Sequence, residues 1–122
     1  DPPMNIINSK ILKNMINFED ISIDIPIHFK DIKDDELKVG LRSSDILLNE
    51  KGHEFEVELA EISGSETLLH LKKGSTKLIM SIEEVMNFKI KDKVKIDFKI
   101  DKAYAFSANG KLISSPFRSK NV

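Results

Sequence analysis

Alternation with a period of two dominates the chain. In residues 21–27, ISIDIPI, the isoleucines Ile21, Ile23, Ile25 and Ile27 share one face, and Ser22, Asp24 and Pro26 share the other. Proline offers no N–H to a ladder, so this strand is expected at a sheet edge or to end at Pro26. In HEFEVELAEIS, residues 53–63, Phe55, Val57 and Leu59 alternate with Glu54, Glu56 and Glu58. The pattern slips at Ala60 and Ile62, which predicts a bulge there. In VKIDFKI, residues 94–100, Val94, Ile96, Phe98 and Ile100 alternate with Lys95, Asp97 and Lys99. Less regular strands are predicted near residues 5–12, 37–42, 66–73 and 76–82. A final short pair is predicted from AYAF (103–106) and KLI (111–113), joined by a turn at Asn109-Gly110.

One helical signal competes with this pattern. Ser81 followed by Glu84 reads as a capping box, with Val85, Met86 and Phe88 behind it. One or two helical turns are therefore predicted over 82–88. FKDIKDDELK, residues 29–38, is a charged connector. The expected fold class is all-β: an oligonucleotide-binding-like (OB-like) barrel of short antiparallel strands, with at most one short helix, in a single domain over residues 1–122.

Composition narrows the function classes. The chain has 122 residues, of which 40% are hydrophobic and 32% charged, and this fits an ordinary globular domain. The formal net charge of −1 gives no global pull toward nucleic acid or an anionic membrane. The chain lacks cysteine, so disulfides and thiolate metal sites are excluded. No apolar run approaches the roughly 20 residues that a membrane-spanning helix needs. The first residues are Asp-Pro-Pro-Met-Asn, without an initiator methionine, which fits a piece of a longer protein.

Candidate chemistry is sparse. The glycines at 40, 52, 64, 74 and 110 never cluster, and neither a Walker A loop nor a G-x-G-x-x-G turn is present. No nucleotide cofactor is therefore expected in this chain. His28, His53 and His70 lack the spacing of paired metal ligands. Glu54, Glu56 and Glu58 form a stripe on one strand face, the pattern of a solvated surface. The lysines of residues 89–102 are interrupted by Asp92, Asp97 and Asp101, and the chain has no tryptophan and one tyrosine. Single-strand nucleic-acid binders need exposed aromatic platforms beside a positive groove, so no nucleic-acid partner is expected.

The segment GSETLLH, residues 64–70, places Glu66 and Thr67 where a turn enters a strand. Such a pair can be catalytic, ligand-binding or a structural clamp. Gly64 permits a positive-φ turn, and Ser65 continues it. Arg42 offers a rigid fork of donors, for which Glu66 or Asp45 is a suitable acidic partner.

Several segments taken in order resemble one family. PPMN (2–5) precedes a strand. VGLRSSDI (39–46) resembles a G-[LI]-R-P-E-x-[IL] signature, with Gly40 and Arg42 matching and Ser43-Ser44 replacing Pro-Glu. VELAEISGSETLLHLK (57–72) resembles a strand, an L-G-x-E-T turn carrying Gly64, Glu66 and Thr67, and a second strand. IKDKVKIDFKIDKAYAFSANGKLI (90–113) resembles the family's closing strands, with Lys91 in place of a glycine and Tyr104-Ala105-Phe106 in place of His-Leu-Phe. Together these are similar to the C-terminal regulatory domain, of the transport-associated OB (TOBE) type, of ATPase subunits in sugar importers of the ATP-binding-cassette (ABC) class, nearest to the maltose and glycerol-3-phosphate type. The resemblance implies a cytoplasmic parent, peripheral on the inner face of the membrane. ATP and Mg²⁺ would bind an N-terminal domain absent from this chain. It also implies a second copy of the subunit as homodimer partner, association with membrane permeases and docking of regulatory proteins. Some relatives of the wider class bind oxyanions, but the opening motif of that subgroup is replaced here by MNIINSKIL (4–12).

Overall fold

Ten antiparallel strands form among residues 2–116, the part of the chain that the computed structural model describes. They are β1 Asn5–Leu12, β2 Met15–Phe18, β3 Ile21–Asp24, β4 Glu36–Leu41, β5 Ile46–Ser63, β6 Glu66–Lys73, β7 Thr76–Ile82, β8 Lys93–Phe98, β9 Tyr104–Ser107 and β10 Leu112–Ser114. Helical geometry among the described residues is confined to single 3-10 turns at Ile27–Phe29, Ser43–Asp45 and Ile100–Lys102. The fold is all-β. Arg118 lies outside the described residues.

The chain divides into two compact units. The first comprises Arg42–Lys99 with the N-terminal residues up to Asn5, and the second comprises Ile6–Leu41 with the chain from Ile100 onward.

The first unit holds a four-stranded sheet in the order β7-β6-β5-β8. Its buried face follows the alternation read from the sequence at Phe55, Val57 and Ile96, and the less regular strands add Leu69, Leu71, Leu78 and Met80; each of these is at most 2% exposed. Burying such a side chain is worth about 1.5–3 kcal/mol, so this row is the main stabilising feature of the sheet. The β5 strand pairs twice, with β8 over Ile46–Glu56 and with β6 over Glu56–Ser63. Its register shifts between Leu48 and His53 against β8, and between Val57 and Leu59 against β6. The second shift corrects the expected position of the bulge, which comes before Ala60. It also turns Leu59, expected inside, outward to 44% exposure, because one slipped residue exchanges the two faces of a strand. At the first shift, a Cβ on Gly52 would lie 2.1 Å from the Ile96 carbonyl oxygen, so only glycine lets the two backbones meet.

The helical turns expected over 82–88 do not form. Ser81 does not cap a helix; its Oγ hydrogen-bonds Ser43 Oγ at 2.7 Å. Buried Thr67 takes over the backbone groups that a helix would have used. Its Oγ1 donates to the Glu84 carbonyl at 2.8 Å and accepts the Met86 N–H at 3.0 Å. A side chain has satisfied these groups, so the segment leaves β7 through a bend at Glu83 and Glu84 and stays irregular.

The β7 strand is an outer strand of its sheet. The Asn5 side chain meets its middle residue: Oδ1 accepts the Ile79 N–H at 2.7 Å, and Nδ2 donates to the Ile79 carbonyl at 2.9 Å.

The second unit contributes the six-stranded order β10-β9-β4-β1-β2-β3, all but Asn5 of β1 lying within it. The β3 strand is an edge and ends at Asp24, two residues before Pro26. Pro26 then leads into the 3-10 turn, so Ile23 and Ile25 are half-buried and Ile27 is 74% exposed. The inward isoleucine row therefore holds for Ile21 alone. The β2 strand was not signalled by the pattern. It has only two inward residues, Ile16 and Phe18, and its turn from β1 is made by Lys13 and Asn14 at φ 53° and 61°, without glycine.

A mixed-charge cavity as the candidate functional site

The chain leaves the second unit at Leu41 and makes a 3-10 turn at Ser43–Asp45. The Asp45 N–H donates to the Arg42 carbonyl at 2.9 Å, and the Asp45 carbonyl accepts the Lys99 N–H at 2.8 Å. The first bond closes the turn and the second ties the start of β5 to the end of β8, which brings Arg42 and Lys99 to the same junction. The nearly buried Ser43 holds the turn to β7 through its bond to Ser81.

A cavity of about 400 Å³ opens within the first unit at this point. Arg42 and Lys99 supply cations, Glu66 and Glu83 carboxylates, and Ser43, Ser44 and Ser81 hydroxyls. Pro2 and Met4 add apolar wall. Such a lining can orient a small polar or anionic group through donors of fixed direction. The Ser43–Ser81 pair joins hydroxyl to hydroxyl, without a base in the bond, so it positions the wall and does not create a nucleophile.

The residues singled out from the sequence have separate places. Arg42 and Glu66 line the same cavity, although they come from different motifs. Asp45 acts here through its backbone. Gly64 (φ 62°) and Ser65 form the exposed two-residue turn from β5 to β6. Thr67 is fully buried and clamps residues 84–86, so within GSETLLH one side chain faces the cavity and the next is structural. Gly40 lies in β4 opposite Tyr104, in the second unit. Sequence reasoning missed Ser81, Glu83 and Lys99. In the sequence Ser81 reads as a helix cap, and Lys99 belongs to a lysine-rich run whose members look alike without register.

The glutamate stripe lies elsewhere and is a wet, ion-paired face. Lys93 Nζ donates to Glu56 at 2.9 Å, and Lys72 lies 3.9 Å from both Glu56 and Glu58. The hydrogen bond from Lys93 holds the Glu56 carboxyl below its ordinary range, and the same bond raises Lys93 above its own. The histidines do not converge. His28 Nε2 bonds the Ala103 carbonyl at 2.7 Å, His53 stacks on Phe98, and His70 pairs with Glu61 at 2.7 Å. No group of three metal-ligating side chains occurs among the described residues, and no helix among them is long and apolar enough to cross a membrane. The chain matches no known family model and no curated protein.

Proposed function

We propose that this chain is a regulatory, self-associating domain of the transport-associated OB type, from the ATPase subunit of an ABC importer for sugars or related solutes. One observation carries the reading. The two most specific resembling segments, VGLRSSDI and GSETLLH, supply Arg42 and Glu66 to the wall of one cavity. Two residues 24 positions apart in the chain thus line a single local surface, as motifs with a common task require. The all-β fold supports the same reading. On this view ATP hydrolysis belongs to another part of the parent, and this chain keeps two subunits together while their ATPase parts open and close. Tethering raises effective concentration to the millimolar range for short links, so the contact itself is weak. The pairing is two-fold and isologous, as in most homodimers. Sedimentation equilibrium from micromolar to millimolar protein tests it. The expected result is a reversible monomer–dimer equilibrium. A strict monomer at the highest concentration argues against self-association and for a platform that docks other proteins.

A second reading has its own support. Arg42, Lys99 and three serines offer donors to a small oxyanion, which would have to sit away from the carboxylates of Glu66 and Glu83 in the same cavity. Calorimetry with molybdate, sulfate and phosphate separates it from the first. Saturable heat that disappears in Arg42→Ala favours a ligand-binding domain, and no heat leaves the regulatory reading.

A further inference from the structure

Between β7 and β8, residues 83–92 run through the first unit without strand or helix, yet the segment is fastened at both ends. Buried Thr67 holds the Glu84 carbonyl and the Met86 N–H. Further on, the Lys91 N–H donates to the Val57 carbonyl and the Val57 N–H donates to the Asp92 carbonyl, both at 2.8 Å. Asp92 closes the last turn. Its Oδ2 accepts the Lys89 N–H at 2.8 Å, and its own N–H donates to the Lys89 carbonyl at 3.0 Å. A segment fixed in this way loses little freedom when a partner touches it, so it can bind at low entropic cost.

The segment displays apolar side chains between charges of opposite sign. Val85 is 52% exposed and Ile90 66%, while Met86 and Phe88 between them are half-buried. Ile62, 54% exposed, lies opposite Thr67 in the β5–β6 ladder and so beside the clamp. One exposed apolar residue is ordinary, but a short fixed segment and its neighbouring strand carry three. Glu83 and Glu84 precede Val85, Lys89 and Lys91 flank Ile90, and all four charged residues are exposed. Among the described residues none of the four takes part in an ion pair. Lys91 keeps its place at φ 78°, in the left-handed region that glycine would occupy without strain. Backbone strain of this kind gathers at positions of contact and function.

We propose that residues 83–91 are a self-association surface whose occupant is the same segment of a second copy. The proposal rests on the self-associating reading above and gives it a location. An acidic end and a basic end on one segment are complementary to the same segment reversed. A two-fold axis near Asn87 sets the acidic end of each copy on the basic end of the other, and the same reversal brings the Val85 end of one copy to the Ile90 end of the other. An isologous contact requires such self-complementarity. A uniformly acidic or basic partner, nucleic acid and anionic membrane included, would be repelled by one end. The charges set orientation and encounter, and burial of Val85 and Ile90 adds affinity. A contact built from one short segment is small, in keeping with a weak, transient association.

Sedimentation equilibrium of the whole chain, from micromolar to millimolar protein, reads the dimer dissociation constant of the parent and of variants checked for an unchanged circular dichroism spectrum. Ile90→Asp is expected to raise it at least about tenfold, one apolar contact being lost on each side of the axis. Glu84→Lys alone, and Lys89→Glu together with Lys91→Glu, each set like charges against each other and raise it about 3- to 30-fold, two surface contacts being reversed per dimer. An equimolar mixture of these two charge variants pairs more tightly than either alone, because every end then meets its opposite. Leu112→Asp, at an exposed apolar position of the second unit, leaves the constant unchanged. A parent dimer that the segment variants do not weaken, or a mixture that pairs no better than its components, overturns this surface and leaves self-association standing. A parent that stays monomeric at millimolar concentration overturns both.

Discussion

Thr67 shows how much a single hydroxyl can decide. It is completely buried and answers both a carbonyl and an N–H of residues 84–86. Thr67→Val keeps the shape and removes both bonds, leaving a buried N–H and C=O without their partner. We expect a loss of about 1–3 kcal/mol, read from the urea midpoint. A loss below that range would mean that water replaces the hydroxyl. The Arg42–Glu66 relation is of another kind. Arg42 is exposed and Glu66 half-buried, so coupling between them belongs to the surface range of about 0.2–1 kcal/mol. A double-mutant cycle of Arg42→Ala and Glu66→Ala measures it, and a larger value would show a pair withdrawn from water. Glu56 adds a pH dependence. Its folded pKa lies below the ordinary glutamate value of 4.5, so its contribution is present above that pH and is lost as pH falls through the folded pKa. Lys93 is raised above 10.5, and its contribution fades only as pH rises through its folded value. An NMR titration of Glu56 should show its midpoint move back toward 4.5 in Lys93→Ala. At this scale the sequence named Glu66 and Thr67 but could not divide their tasks, because the neighbours of Thr67 lie seventeen and nineteen residues away.

Strands were legible where their alternation was long. Phe55 and Val57 on β5 and Ile96 on β8 occupy the buried face that their spacing assigns. The short β2 escaped notice because two inward residues make no period. The segment 82–88 misled for a different reason. Ser81 and Glu84 satisfy a local rule for helix starts, and a distant threonine and serine outbid it. Positions of bulges followed backbone approach, which side-chain pattern does not encode. Gly52 marks one such approach. Because the atom that its added Cβ would strike is backbone, relief requires β5 and β8 to move apart. Gly52→Ala should therefore destabilise by about 1–3 kcal/mol, as overpacking does, though alanine suits strands better than glycine. Unchanged thermal stability would show that the register shift between Leu48 and His53 can relax.

For the whole molecule, alternation with few helix signals was enough to establish the all-β class. The cavity was only half legible. Arg42 and Glu66 stood out by motif, whereas Ser81, Glu83 and Lys99 reach it through strand pairing and register. The division into two units cuts the GLR motif between Leu41 and Arg42, and no shift in composition marks that point. The Asn5 amide has the broadest consequence. A primary amide presents one acceptor and donors side by side, so Asn5 imitates a peptide unit and occupies Ile79 as the next strand would. It terminates a lattice. An outer strand with paired groups in its middle cannot act as a template for addition of another chain, the route by which exposed edges seed fibrils. Asn5→Ala removes the terminator and leaves the buried rows of Leu78 and Met80 unchanged. Its solutions should nucleate thioflavin-positive aggregates sooner than the parent at equal concentration, and equal lag times would show that β7 is protected by other means. The β7 edge would then owe its resistance to chain addition to one uncharged side chain near the start of the chain, the last residue of the PPMN segment.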